Sequence, residues 1–177
     1  MEYSERIQKQ QEAEKRDIQT LRSGNKKAII DTISSLRKRG KISTLPELFE
    51  LMLATEDQEI MEVAVNLLND LKKKEAIPVI IDAIADKNYL PIQKELLASC
   101  WQCGLDYHDH IMLFIDVAIS GDYATAFEAF TVIEDCIGEI EDRERARCVK
   151  KLNKGLEKTP EEKLPLMKEL ISMVERF

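Results

Sequence analysis

The sequence predicts an all-α fold in which about five antiparallel helix pairs stack side by side along the chain. Three observations lead to this prediction. Only 6 Gly and 5 Pro interrupt the 177 residues, which is too few for short strands joined by tight turns. Hydrophobic residues make up 44% of the chain and recur at the spacing of amphipathic helices. An apolar pattern also repeats at a period of about 32 residues, as expected for helix-pair repeats.

Composition narrows the class of protein further. At 177 residues, with 44% hydrophobic and 33% charged residues, the chain is long and apolar enough to bury one sizeable core. Residues 1–177 are therefore predicted to form a single domain. The net charge of −7 and the pI near 5.1 make it an acidic protein that repels phosphate backbones, so nucleic acid is a disfavoured partner. The polar N-terminus and the lack of a run of roughly 20 apolar residues predict a cytoplasmic protein with no membrane partner.

The first helices of successive pairs are predicted near 5–22, 45–54, 76–86 and 109–120. Pro46 and Pro78 fall at two of these predicted starts, where a helix tolerates the missing N–H. Three of the segments share an apolar pair followed by an acid: Leu48, Phe49 and Glu50; Ile80, Ile81 and Asp82; Phe114, Ile115 and Asp116.

The second helices are predicted near 25–39, 57–72, 88–104 and 122–138. Asn25, Asp57 and Asp122 are suitable N-cap residues for three of them. Aligned columns at four-residue steps predict a buried stripe along each helix. These columns are Ala28, Ile60, Ile92 and Thr125; Thr32, Ala64, Leu96 and Ala129; and Leu36, Leu68, Cys100 and Ile133.

The two ends of the chain depart from the repeat, as terminal repeats must because one face meets water. Residues 1–24 are predicted to form a polar helix that acts as a cap. Residues 139–177 are predicted to form an atypical C-terminal capping repeat, with helices at 143–156 and 161–177. In the turn between them, Thr159 is predicted to cap the last helix and Pro160 to occupy its first position. The apolar stripe of the N-terminal helix is Tyr3, Ile7, Ile18 and Leu21.

The second helices resemble HEAT repeats, in which an Asp-type cap is followed by an apolar residue, then Ala and Leu at four-residue steps. The family's basic residue after the first apolar position is replaced here by Met61, Gln93 and Ala126. The resemblance implies a right-handed, armadillo-like α–α superhelix that serves as a scaffold for peptides, proteins or sometimes nucleic acid. Three segments carry it: Asp57, Ile60, Ala64 and Leu68 closely; Asn88, Ile92, Leu96 and Cys100 less closely; Asp122, Ala129 and Ile133 loosely.

A metal or thiol site is the main chemical hypothesis that the sequence raises. Cys100, Cys103, His108 and His110 together offer the ligand types of a zinc site. The repeat columns favour a different interpretation, because both cysteines replace apolar core residues of the other repeats. We therefore expect reduced, buried thiols and no bound metal. The two histidines are expected to be loop residues before the next helix.

A partner-binding surface is predicted on the exposed rows of the second helices, which commonly line the concave side of a solenoid. Trp101 and Phe127 stand where polar residues are expected, and exposed aromatic rings often dominate interface energies. They predict a groove that holds a peptide or helix, with carboxylates selecting a basic partner. The alternative is that both rings pack between neighbouring second helices. The predicted surface comprises Glu62, Asn66, Asn69, Lys94, Trp101, Phe127, Thr131 and Glu134.

The predicted function is therefore a non-catalytic scaffold without a cofactor, which binds a protein or peptide. One alternative is a nucleic-acid-binding protein of the DNA alkylation repair type, which needs a basic groove. The exposed rows of the second helices carry few cations besides Lys94. The cations Arg37, Lys38, Arg39 and Lys41 cluster at one end of the chain's predicted repeats only. The other alternative is a metal- or thiol-dependent enzyme at Cys100, Cys103, His108 and His110.

Overall fold

The computed structural model describes residues 2–177, and their side chains from residue 5 onward. The chain is 82% helix, and the described residues contain no strand, which confirms the predicted all-α class. Among these residues, no helix is both long enough and apolar enough to cross a membrane. The ten α-helices are α1 (Glu2–Leu21), α2 (Lys26–Arg39), α3 (Leu45–Ala54), α4 (Gln58–Asn69), α5 (Ala76–Ala85), α6 (Gln93–Cys103), α7 (Ile111–Ser120), α8 (Tyr123–Cys136), α9 (Asp142–Leu156) and α10 (Leu164–Arg176).

Three of the helices begin at the N-cap residues that the sequence predicts. The side chain of Asn25 accepts the backbone N–H of Ala28, and Asp122 accepts that of Thr125. Asp57 accepts the N–H groups of Glu59 and Ile60. Each cap satisfies a backbone donor that the first turn of a helix leaves without an internal partner.

The helix predicted over 88–104 is divided in the structure. A six-residue 3₁₀ segment, Lys87–Ile92, precedes α6, and Asp86 caps it in place of Asn88 by accepting the N–H of Asn88. Pro91 explains the division, because it has no N–H to donate to the preceding turn and its ring clashes with α-helical packing. The predicted match of Asn88 to a HEAT-type cap is therefore wrong.

The turn before the last helix also differs from the prediction. Thr159 does not cap the following helix, since its hydroxyl donates to the carbonyl of Gly155 at the end of α9. Pro160 precedes a 3₁₀ turn, Glu161–Lys163, and α10 begins after that turn. The Gly155 carbonyl also accepts the backbone N–H of Lys158, so the hydroxyl is a second donor to this carbonyl at the C-terminus of α9.

The chain divides into two compact units, Met1–Val79 and Ile80–Phe177, and the boundary falls within α5. In the first unit, α2 and α4 run in the same direction. Lys26 at the start of α2 pairs with Asp57 at 2.8 Å, and Arg37 near its end pairs with Asp70. The predicted columns are buried here at Ile60, Ala64, Leu36 and Leu68, while Ala28 and Thr32 are half-buried.

The N-terminal helix α1 packs on the first unit mainly through its last turns. Leu21 is buried, whereas Ile7 is exposed and Ile18 is half-buried. Asp17 forms an ion pair with Arg39 at 3.1 Å. The side chain of Tyr3, which the sequence places on the apolar stripe, lies outside the described residues.

In the second unit, α7 and α9 run in the same direction along their whole contact. The Cys148 thiol meets the Met112 sulfur at 3.7 Å, and Lys151 pairs with Asp116 at 2.6 Å. Further along, Gly155 lies so close to Ile119 that a Cβ on the glycine would stand 2.8 Å from that side chain. The missing side chain at Gly155 therefore lets α9 approach α7 closely.

Candidate functional site

The surface formed by α6 and α8 carries most of the predicted partner-binding residues. The two helices are in contact and run in the same direction. Trp101 near the end of α6 donates its indole N–H to the Glu128 carboxylate of α8, at 3.0 Å. Lys94 at the start of α6 lies near Asp122, which caps the start of α8. Hydrogen bonds from Thr125 and the positive charge of Lys94 lower the pKa of Asp122. We call this the α6–α8 surface.

Four large apolar side chains of this region are open to solvent. Trp101 is 40% exposed and Phe127 is 51% exposed, so neither ring is packed away between the two helices. Tyr123 is 52% exposed and lies four residues before Phe127, which puts both rings on one face of α8. Leu90, in the 3₁₀ segment before α6, is 56% exposed.

The other predicted residues of the α6–α8 surface differ in what they offer a partner. Lys94 and Glu134 are exposed, and Lys94 lies 3.6 Å from the carboxylate of its neighbour Glu95. Thr131 is half-buried, and its hydroxyl donates to the Phe127 carbonyl at 3.2 Å. Its hydroxyl proton is therefore already used within the helix.

Three predicted residues lie on α4, in the first unit. Glu62 is exposed, while Asn66 and Asn69 are half-buried. That these three residues share one binding surface with α6 and α8 stays a prediction.

Sequence reasoning missed two residues of this surface, Tyr123 and Glu128, and also the exposure of Leu90, which lies nearby in sequence. Tyr123 could have been found from its four-residue spacing to Phe127. Leu90 was hidden because the pattern placed it within a regular helix, where Pro91 instead imposes a 3₁₀ segment. Glu128 had no signal, because its role depends on the tertiary contact with Trp101.

Acidic side chains dominate the segment that contains this surface. Between residues 80 and 142 the chain carries 13 acidic side chains, and its only lysines are Lys87 and Lys94. Such an excess attracts cations and repels phosphate groups. The exposed aromatic rings therefore belong to a strongly acidic segment of the chain.

The cysteines that suggested a metal site belong to the core. Cys100, Cys103, Cys136 and Cys148 are all buried, and none of them forms a disulfide. The Cys100 thiol donates to the Leu96 carbonyl, and the Cys103 sulfur lies 3.8 Å from the buried Tyr107 hydroxyl. Burial raises the pKa of Cys100 well above that of an ordinary thiol, and raises the pKa of Cys136 to about 12. Burial thus suppresses the thiolate at Cys100 and Cys136, which is the form that a nucleophile or a metal ligand requires.

The two histidines lie in the short 3₁₀ turn before α7 and are half-buried. Nδ1 of His108 lies 2.7 Å from Asp106, and this hydrogen bond raises the pKa of His108. Within the described residues, no three side chains of His, Cys, Asp or Glu approach closely enough to hold a metal ion together. The histidines are thus not brought together with the cysteines as a ligand set.

A cavity of about 560 Å³ lies in the first unit. Its apolar walls include Leu21 and Ile60, and its acids include Glu47 and Asp57. Both acids are used within the fold, because Arg22 holds both oxygens of Glu47 at 2.6 Å and Asp57 caps α4. The α6–α8 surface, with its exposed rings, is therefore the stronger candidate for recognition.

Neither the protein-family models nor the curated proteins with which the chain was compared match it.

Proposed function

We propose that this protein is a short HEAT-like scaffold, and that its α6–α8 surface binds a basic, amphipathic segment of a protein partner. The observation that carries the proposal is the exposure of Trp101 on α6 and of Phe127 and Tyr123 on α8, within an acidic segment of the chain. The scaffold is non-catalytic, and its helix pairs continue one another as a right-handed α–α superhelix.

Parallel stacking of equivalent helices supports the repeat architecture. In a helix-pair solenoid, each second helix runs beside the next second helix, and each first helix beside the next first helix. The α2–α4 and α6–α8 contacts are of the former kind, and the α7–α9 contact is of the latter. The ion pairs Lys26–Asp57 and Arg37–Asp70 lie at matching ends of α2 and α4.

Exposed aromatic rings support a binding role. Large aromatic side chains dominate interface energies when a partner removes them from water, and leaving them exposed gives the free protein no benefit. Glu128 fixes one edge of the Trp101 ring and so reduces the side-chain entropy that binding would cost. An oriented, half-exposed Trp is well suited to pack against aliphatic side chains of a partner.

The acidic environment supports a basic partner. Asp122, Glu128 and Glu134 all belong to α8 or its cap, and 13 acidic side chains lie between residues 80 and 142. Lys and Arg side chains of a partner would pair with these carboxylates, while their aliphatic stems cover the rings. Specificity would then come from charge, and affinity mainly from the rings.

Trp101 provides a direct test because it is the only tryptophan in the chain. The probe is a tryptophan-free amphipathic helix built from Leu and Lys, and its control is the same peptide with Glu in place of Lys. We expect the Lys peptide to shift the Trp101 emission to shorter wavelength in a saturable manner. The Glu peptide should cause no saturable shift.

Two alanine variants give this titration its control. Phe127→Ala should weaken binding by about ten-fold, since the ring would be a central contact. Phe177→Ala removes an equally exposed ring at the chain end and should change affinity by less than about two-fold. Equal effects of the two substitutions, or binding of both peptides alike, would refute the proposal.

The two other functions considered from the sequence receive less support. The carboxylates of α8 would repel a phosphate backbone, and Lys94 is the only cation within α6 and α8. The thiols of Cys100 and Cys136 are buried with raised pKa values, which suppresses the thiolate that a thiol enzyme needs.

A further inference from the structure

A second charged surface lies in the first unit, where the turns after α2 and α4 meet. A cavity of about 280 Å³ is lined there by six cationic side chains and one acid, Asp70. We call it the basic pocket. Its cations are Arg37, Lys38, Arg39, Lys41, Lys72 and Lys73.

Three of the six cations are already paired within the fold. Arg37 pairs with Asp70, Arg39 with Asp17, and Lys41 with Glu14. These ion pairs hold the side chains in place around the pocket. The Arg37 hydrogen bond and the charge of Lys72 lower the pKa of Asp70, so Lys72 also interacts with a carboxylate of the fold.

Lys38 and Lys73 are exposed and have no carboxylate within ion-pair distance among residues 5–177. Lys73 lies over Gly40, where a Cβ would stand 3.4 Å from its Cε atom. Gly40 ends α2 in the left-handed conformation, with φ of 57°. Glycine is favoured at this position because of its positive φ, and the Lys73 side chain packs against it at the edge of the pocket.

Helix dipoles account for only part of this positive charge. The C-terminus of a helix carries roughly half a negative charge, and cations in the last turn stabilise it. Two helix ends meet here, so about one unit of positive charge would balance them. Six cations with one lining acid exceed that need.

We propose that the basic pocket binds an acidic polypeptide segment whose carboxylates pair with Lys38 and Lys73. The mixed lining favours a polypeptide, because Ile42, Leu67 and Leu71 offer apolar contact between the cations. Nucleic acid fits less well, since it needs an extended basic track and the chain as a whole carries a charge of −7. This inference does not depend on the α6–α8 surface, because every residue of the pocket belongs to the first unit.

The test uses a fluorescein-labelled oligoglutamate peptide and measures its anisotropy as protein is added. The variant K38E/K73E reverses both available charges. The control K150E/K154E changes the net charge equally at two exposed lysines of α9. We expect the pocket variant to lose at least about ten-fold in affinity, and the control to lose about two-fold or less. Melting curves of both variants should match that of the wild type.

Three results would overturn the proposal. The first is no binding of oligoglutamate by the wild type at low salt. The second is an equal loss in the pocket variant and the control, which would indicate general electrostatic attraction. The third is displacement of the peptide by a single-stranded oligonucleotide of equal charge at lower concentration, which would assign the pocket to nucleic acid.

Discussion

Lys163 shows how a single buried cation can complete a helix. The residue is 3% exposed, and its ammonium group donates to three carbonyls at the end of α7: Ala118, Ile119 and Gly121. These carbonyls have no helical donor of their own, and the dipole makes this end negative. Burial lowers the pKa of Lys163, and the charge of Asp122 opposes that shift.

Replacing Lys163 with Met should destabilise the protein. The substitution keeps the aliphatic stem but leaves buried carbonyls without a donor, at a cost of about 2–4 kcal/mol. Urea unfolding followed by circular dichroism measures this change. Lys168→Met, at an exposed position of α10, is the control and should cost less than about 0.5 kcal/mol. Equal midpoints for the two variants would contradict the role assigned to Lys163.

The buried thiols should be unreactive in the folded protein. With the pKa of Cys136 raised to about 12 and that of Cys100 raised further, almost no thiolate forms at pH 8. An aromatic disulfide reagent should therefore modify these residues only as fast as the protein opens, and all four cysteines should react in urea. Rapid reaction of Cys100 or Cys136 without denaturant would contradict this account.

The same raised pKa values predict a loss of stability in alkali. Thiols of the unfolded chain ionise near their ordinary pKa of 9.0, whereas the buried Cys136 thiol ionises near 12. The unfolded state therefore releases protons first, and stability falls as pH rises above about 9. Below about pH 9 these thiols are protonated in both the folded and the unfolded state, so they contribute no pH dependence to the stability.

At the level of single residues, the sequence predicted burial better than it predicted pairing. The exposure of Trp101 could be expected from its position opposite the buried column. Its Glu128 partner and the burial of Lys163 could not, since both depend on which helices meet in space. A hydrophobic pattern also predicts that a lysine is exposed, because its charge is costly to bury without partners.

At the level of helices, local signals predicted most boundaries. Asn25, Asp57 and Asp122 cap helices as expected, because capping depends on residues close together in sequence. There were two exceptions. At the start of α6 the apolar columns continued across Pro91 although the α-helical hydrogen bonds could not, and at the start of α10 a 3₁₀ turn follows Pro160. Hydrophobic spacing alone does not distinguish one long helix from a 3₁₀ segment followed by a helix.

Gly155 is the position where helix packing is most sensitive to added volume. A Cβ there would stand 2.8 Å from the Ile119 side chain, so Gly155→Ala should push α9 away from α7. We expect the free energy of unfolding to fall by about 1–3 kcal/mol, although Ala favours a helix over Gly. Thermal and urea unfolding would measure it.

Gly138→Ala is the matched control for this substitution. A Cβ at Gly138 meets nothing within 4 Å, so the variant should be as stable as the wild type or slightly more so. A Gly155→Ala variant with unchanged stability would show that the close α7–α9 approach does not depend on the glycine. Recovery of stability when Ile119 is also shortened to Ala would support the packing explanation.

For the whole molecule, the charged side chains that sum to −7 are distributed unevenly along the chain. Residues 1–79 carry 14 acidic and 14 basic side chains, whereas residues 80–142 carry 13 acidic side chains and two lysines. The acidic character that disfavours nucleic acid is thus concentrated in residues 80–142, the segment that contains α6 and α8. Global charge alone would not have revealed the basic pocket.

The all-helical class followed from the sequence because a period of 32 residues leaves room for two helices and two turns in each repeat. The superhelix stays a proposal for a physical reason. Its handedness and curvature come from a small rotation between successive pairs, and that rotation is set by side-chain packing that no repeat period encodes.

The proposed function requires the α6–α8 surface to receive a basic amphipathic segment. It is tested most directly by recording the backbone amide resonances of the protein with increasing amounts of the Leu–Lys peptide. We expect saturable shifts concentrated between Leu90 and Cys136, together with a shift of the Trp101 indole N–H that is bonded to Glu128. Saturable shifts confined to residues 1–79, or a lack of saturable shifts anywhere, would contradict the account.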